Sequence, residues 1–181
     1  MNLGRALGER ILQREPDAGA RGAARTGIQD FLAVSWSVLQ QQVPDSGLPA
    51  LRQVYGDGSV RSQALLLGYA GHALDYDDFH ADFRGHPSVA ILPALFAWQQ
   101  QQPATAEAFL DAYVIGVEVA GRLGLAASQQ HYALGYHNTA TLGTLAAAAA
   151  LARLPRLNAT ACAPLIGIAA TQASGQRAQF G

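Results

Sequence analysis

The chain has no lysine; all twelve of its basic residues are arginine. Schiff-base chemistry and proton transfer through a lysine amine are therefore excluded for this chain. It has one cysteine, Cys162, which excludes an internal disulfide framework. That cysteine lies in ACAPLIGIAA and reads as a buried, unreactive thiol. Charge is scarce, at 14% of residues, and sums to −1. Neither a nucleic acid nor a membrane surface is expected as a partner on electrostatic grounds. Acid is missing altogether after Glu118, while Arg122, Arg153, Arg156 and Arg177 follow. The apolar runs, such as LGTLAAAAALARL, are too short to span a bilayer. The opening MNLGRALGERILQREPDAG lacks the apolar core of a secretory signal and carries Glu9, Glu15 and Asp17, so a cytoplasmic location is expected. HExxH, CxxC, an EF-hand loop, a Walker A loop, GxGxxG and GxSxG are also absent.

What is present is helix. Half of the 181 residues are hydrophobic, enough for one domain with a substantial core. Ile28, Phe31, Leu32, Ser35 and Leu39 recur at helical spacing, which predicts a helix near 22–42. Ser59, Thr105 and Asn158 are capping residues ahead of apolar stretches, and further helices are expected at 4–14, 48–54, 87–101 and 139–154. Gly175 is placed to end the last helix. No run alternates as a strand does, and no hairpin turn is evident. The expectation is an all-α fold of six to eight helices, with residues 1–26 as an N-terminal helix and linker and 27–181 as one helical domain. Gly116, Ala120, Gly121, Gly124, Gly143 and the alanines 146–150 would let helix backbones approach closely.

Two stretches stand apart. GHALDYDDFHADFRGHPS, residues 71–88, holds four aspartates and three histidines of a chain with thirteen acids and five histidines. A metal site, a catalytic site and a solvated loop are the open readings. On a helix, His72 and Asp75 would share a face at i, i+3, but the spacing matches no metal-ligand motif and no metal is expected. Aspartate is unfavourable at a helix C-terminus, where the dipole is already negative. The cluster therefore calls for a reason: an arginine opposite, a cap for the next helix, or a site. In HYALGYHNTATLG, residues 131–143, His137 precedes a helix start with Asn138 or Thr139 as cap. Free N–H groups there favour a bound carboxylate and a neutral imidazole suited to proton transfer near pH 7.

These stretches carry a resemblance. HALDYDDFHADFRGHPSVAILPAL resembles the first hallmark of the MmgE/PrpD family, HALDFDD followed by a loop and HPS. HYALGYHNTATLGTLAAAAALARL is similar to the second, a GFHPT-like turn before an alanine-rich helix. IGIAATQASGQRAQFG resembles the third, a GIAASQASG helix end, and GIQDFLAV an early helix of the family. The resemblance implies a mostly helical fold, small di- or tricarboxylate substrates and no required metal or organic cofactor. Its activities include 2-methylcitrate dehydratase, cis-aconitate decarboxylase and iminodisuccinate epimerase, which move a proton at carbon next to a carboxylate. By resemblance, Asp75, His86 and His137 are the catalytic residues, and His72 and Thr139 are placed to bind substrate. Asp77, Asp78 and Asp82 are then expected as structural or rim residues.

The chain departs from the family pattern at three places. Phe79 stands where threonine is common, Asn138 where proline is common, and the TKP-like segment with an active-site lysine is absent. The expectation is thus a helical part of a lyase, weakly active or inactive by itself. Such a chain would act as a homodimer, with a complementary C-terminal fragment as half of a split enzyme, or as a non-catalytic binding or dimerisation module.

Overall fold

Short polar side chains divide the chain into helices. Ser59 accepts a hydrogen bond from the Ser62 N–H (3.3 Å), Thr105 from Ala108 (3.2 Å) and Asn158 from Ala161 (2.9 Å). Each satisfies a donor that has no partner within its own first turn. The computed structural model describes residues 3–179. Its elements are α1 (Leu3–Gln13), α2 (Ala18–Leu39), α3 (Gly47–Tyr55), α4 (Val60–His72), α5 (Pro87–Gln101), α6 (Ala106–Ala133), α7 (Asn138–Arg153) and α8 (Ala159–Gln172), with a closing 3-10 turn at Arg177–Gln179. No strand occurs among the described residues, so the fold is all-α as expected. Met1 and Asn2, and Phe180 and Gly181 at the end of the third motif, lie outside the described residues.

Several boundaries differ from the sequence reading, each through one side chain or one dihedral angle. α2 starts at Ala18, ahead of residue 22, because Asp17 accepts the Ala20 N–H (2.8 Å). α6 runs to Ala133 but breaks at Ser128 (φ 61°, ψ −173°). There the Ser128 hydroxyl accepts the Gln130 N–H (3.2 Å) and starts a last short turn. α8 ends at Gln172, before Gly175, because Ala173 leaves the helix in an extended conformation. α4 also stops early, at His72, so the aspartates lie beyond the helix rather than on its final turn.

The main core packs α2, α5, α6 and α7 around Phe31, Ile91, Leu92, Leu95, Phe109 and Ala150. Phe83, in the loop between α4 and α5, is fully buried in the same cluster and anchors that loop. Gly124 makes this possible. A Cβ there would collide with the backbone of Asp82 and Phe83, so only glycine lets the loop lie directly on α6. None of the described helices is long and apolar enough to cross a membrane.

One cluster of charge is sunk into this frame. Asp111 on α6 accepts from Arg21 Nε (2.7 Å) and Nη2 (3.2 Å) and lies 3.5 Å from Arg153 Nη2. Arg153 also reaches Glu15 (3.0 Å) and the Leu12 carbonyl, so α1, α2, α6 and α7 are tied at one point. The Arg21 guanidinium holds the Asp111 carboxyl below its ordinary value, helped by Arg153. That contribution is present above the ordinary carboxylate range and is lost as pH falls through the lowered value. Removing one partner would leave Arg153, only 3% exposed, without its buried counter-charge. Asp111→Ala should cost about 3–5 kcal/mol, read as a fall in the urea midpoint with circular dichroism as the probe.

Candidate active site

The loop of residues 73–86 is built from the residues that set this sequence apart. Asp75 takes a left-handed conformation (φ 55°) just after α4 and turns the chain. Its N–H bonds the His72 carbonyl (3.1 Å). His80 N–H bonds the Gly85 carbonyl (3.0 Å), Arg84 N–H bonds the His80 carbonyl (2.7 Å), and the Phe83 N–H donates to His80 Nδ1 (3.3 Å). His72 and Asp75 do not share a helical face, because the helix has already ended at His72.

Two residues at the head of α7 fasten the loop. Asn138, fully buried, donates from Nδ2 to the Phe83 carbonyl (2.7 Å). Thr139 accepts the His86 N–H on its hydroxyl (3.0 Å). Gly85 is packed beneath, where a Cβ would stand 2.7 Å from Thr139 Oγ1. The residue preceding α7 is His137, not Asn138 or Thr139, and its side chain makes no capping bond. Further along, the His137 N–H donates to the Gly175 carbonyl (3.1 Å), Tyr136 and Gln176 form an isolated bridge, and Arg177 N–H reaches the Gly135 carbonyl (2.8 Å). Arg177 also lies 4.0 Å from the centre of the Tyr132 ring. The third motif therefore packs behind His137.

The aspartates divide by role. Asp77 has a fully buried side chain, and His72 Nδ1 lies 2.9 and 3.0 Å from its two oxygens. His86 Nδ1 is 3.4 Å from Asp77 Oδ2, and His86 Nε2 is 3.7 Å from Asp75 Oδ1. Asp75 is 79% exposed, so His86 stands between a buried and an open carboxylate. Asp78 caps the next helix, accepting the Ser88 N–H (3.2 Å) and the Ser88 hydroxyl (2.6 Å), while Ser88 also bonds Tyr113. Burial raises the Asp78 carboxyl and pushes the Tyr113 hydroxyl up to about 12. Asp82 is exposed on the outer side of the loop.

The His72 and His86 rings lie 4.8 Å apart, centre to centre. Phe79 meets His86 edge-on at 5.9 Å. A cavity of about 560 Å³ opens beside them, lined by Tyr69 and His72 of α4, Ala90 of α5, and His137, Thr139 and Thr144 around the start of α7. Its size suits a small metabolite. The hydrogen bond that His72 donates to Asp77 raises the His72 pKa, against the opposing effect of burial. Burial lowers the His137 pKa, and the charges of His72 and His86 add to that. Two imidazoles on one cavity are thus driven in opposite directions, the arrangement that separates an acid from a base. The hollow between α2 and α6, about 500 Å³, includes Asp78 and Tyr113 but no such pair.

The structure brings together all five residues singled out in the sequence: His72, His137 and Thr139 on the cavity, with His86 and Asp75 against His72. It adds Asp77, which sequence reasoning set aside as structural or rim. Adjacent aspartates diverge whatever the conformation, so position alone does not reveal which one turns inward. One atom from each of His72, Asp75, Asp77 and His86 lies within 4.8 Å of the others, close enough to hold a cation. Asp77 already accepts from His72, and Asp75 stays largely in solvent, so a hydrogen-bonded histidine–carboxylate cluster accounts for the same geometry without an ion.

Comparison with known proteins points the same way as the motifs. The model of the MmgE/PrpD N-terminal domain matches residues 20–181. The chain is similar to the cis-aconitate decarboxylase-like protein oryM of Aspergillus oryzae, with 33% identity over 123 residues. That match covers 64% of this chain and 26% of the relative, so the chain spans about a quarter of that protein.

The opposed imidazoles give stability two opposite pH dependences. His72, raised in the fold, stabilises fully below its ordinary value of 6.5, and this contribution fades as pH rises through the raised value. His137, lowered in the fold, brings a penalty that grows as pH falls from 6.5 through the lowered value. Urea unfolding across pH should show His72→Gln losing most stability on the acid side and approaching the parent at alkaline pH. His137→Gln should do the reverse and lessen the acid sensitivity.

Proposed function

The chain belongs to the MmgE/PrpD family through its N-terminal domain, and from that premise we propose that it supplies the helical wall of a lyase-type site for small di- or tricarboxylates, where a proton is moved at carbon next to a carboxylate. The observation that carries this reading is the pair His72 and His137 on one cavity, one favoured charged and the other favoured neutral. A neutral His137 is suited to take or return the proton at carbon. An imidazolium at His72 is suited to receive a carboxylate or to protonate a leaving oxygen. Loss of water from a β-hydroxy acid draws on both tasks. His86, between Asp75 and Asp77, is suited to orient the substrate or relay a proton. The backbone N–H groups at the start of α7, beside Thr139, offer a second resting place for an anionic group.

The chain holds five imidazoles and no lysine, so within it the proton work falls to histidine and carboxylate. Dehydration, decarboxylation and epimerisation share the step at the acidic carbon and differ in what leaves. The similarity to a cis-aconitate decarboxylase-like protein supports a tricarboxylate of the aconitate or methylcitrate type as the first substrate to test.

Binding should appear as a rise in melting temperature with citrate, 2-methylcitrate or cis-aconitate and none with the matching amides. Proton exchange at the carbon next to the carboxylate should be visible by NMR in deuterium oxide. His137→Gln should slow that exchange by about 10²- to 10⁴-fold. Exchange that is undiminished in His137→Gln would remove the base from this scheme.

A further inference from the structure

We infer that Asp77 is the positioning residue of this site: its buried carboxylate fixes His72 through Nδ1, faces the same nitrogen of His86, and so sets which nitrogen of His72 is turned to the substrate. The inference rests on the functional reading only for the word substrate; the geometry stands apart from it. Asp77 does not line the cavity and its side chain is fully buried, so it can act on a bound molecule only through the histidines.

A carboxylate has only acceptor oxygens for the nitrogens packed against it. With His72 Nδ1 at 2.9 and 3.0 Å, the proton on that nitrogen points at Asp77. Nε2, on the far side of the ring, is left for the cavity that His72 lines. His86 Nδ1 is buried and has no hydrogen-bond partner, yet it lies only 3.4 Å from Asp77 Oδ2. A small turn of either side chain would complete that bond. One buried carboxylate therefore stands behind two imidazoles whose rings are 4.8 Å apart.

Such sharing has a chemical consequence. Two imidazolium ions this close repel, and a single counter-charge favours one of them at a time. When His72 holds the Asp77 oxygens, His86 is left to Asp75 on its other side, at 3.7 Å. When Asp77 turns to His86, His72 loses the bond that keeps it charged. Asp77 thus links the two histidines, so that its bond to one is given up when it turns to the other.

The titratable groups facing His72 are Asp75 and Asp77 from the loop, His86 at the head of α5 and His137 at the head of α7. Tyr69, on the same helix, sends its hydroxyl away to Asp45 (2.6 Å).

Histidine tautomers and titrations in the 15N-labelled chain test this without any turnover, with chelator present and His72→Gln and His86→Gln used for assignment. In the parent, His72 should carry its proton on Nδ1 and titrate above the histidines of the unfolded chain. Asp77→Asn should lower its imidazolium-to-imidazole ratio several-fold at a fixed pH near neutrality and alter the His86 signals. His137 should become easier to protonate as its neighbour's charge is lost. Asp77→Glu should restore much of the effect, and Asp75→Asn should change His72 less than Asp77→Asn does. If the parent His72 carries its proton on Nε2, or titrates no higher than in the unfolded chain, the inference is overturned; this measurement stands even if Asp77→Asn fails to fold. A larger response to Asp75→Asn would overturn it as well, moving the role to the exposed carboxylate. If the His72 behaviour is as stated but no polycarboxylate binds, the functional reading fails and the positioning role stands.

Discussion

The clamp between the start of α7 and the loop of residues 73–86 is the contact on which the site depends. Asn138 holds the Phe83 carbonyl at 2.7 Å and Thr139 holds the His86 N–H at 3.0 Å. These two bonds cross more than fifty positions of sequence and join the first motif to the second. The first is buried and the second partly buried, where an unmatched donor or acceptor is costly, so the register of loop on helix is closely specified. His86, His72 and His137 converge because this register is held.

Much of the fold is legible in the sequence because it is locally determined. Ser59, Thr105 and Asn158 act as caps where their spacing indicates, and the helical period of Ile28, Phe31 and Ser35 matches a helix with Phe31 and Ser35 buried. The boundaries that escape notice depend on single dihedral angles or on residues outside the expected capping pattern, such as Ser128 at φ 61° and Asp17 ahead of a glycine- and alanine-rich start. The site is less legible than the fold for a related reason. That Asp75, Asp77 and Asp78 belong to an unusually acidic stretch is evident from composition. Their division into an open carboxylate, a buried partner of histidine and a helix cap depends on the turn at Asp75 and on Ser88 and His72 brought near by folding. No period or propensity encodes such a division.

The cap made by Asp78 also resolves the oddity of acid gathered after a helix. α4 ends at His72, so Asp78 meets the beginning of α5, while Asp77 is matched by the His72 side chain at the end of α4. Pro87 opens α5, where its missing N–H costs nothing, and Ser88 supplies both the donors that Asp78 accepts. Of the acids in this stretch, Asp78 is thus placed at a helix N-terminus, where negative charge is favourable.

The carbonyl of Gly175 gives the segment after α8 a mechanical connection to the site. It takes the backbone N–H of His137, and Gln176 and Arg177 continue along Tyr136 and Gly135 in the manner of a short tether. Glycine suits the position because its φ of 136° points the chain inward against Ala140. The segment beyond α8 thus helps to fix the backbone from which the His137 imidazole projects.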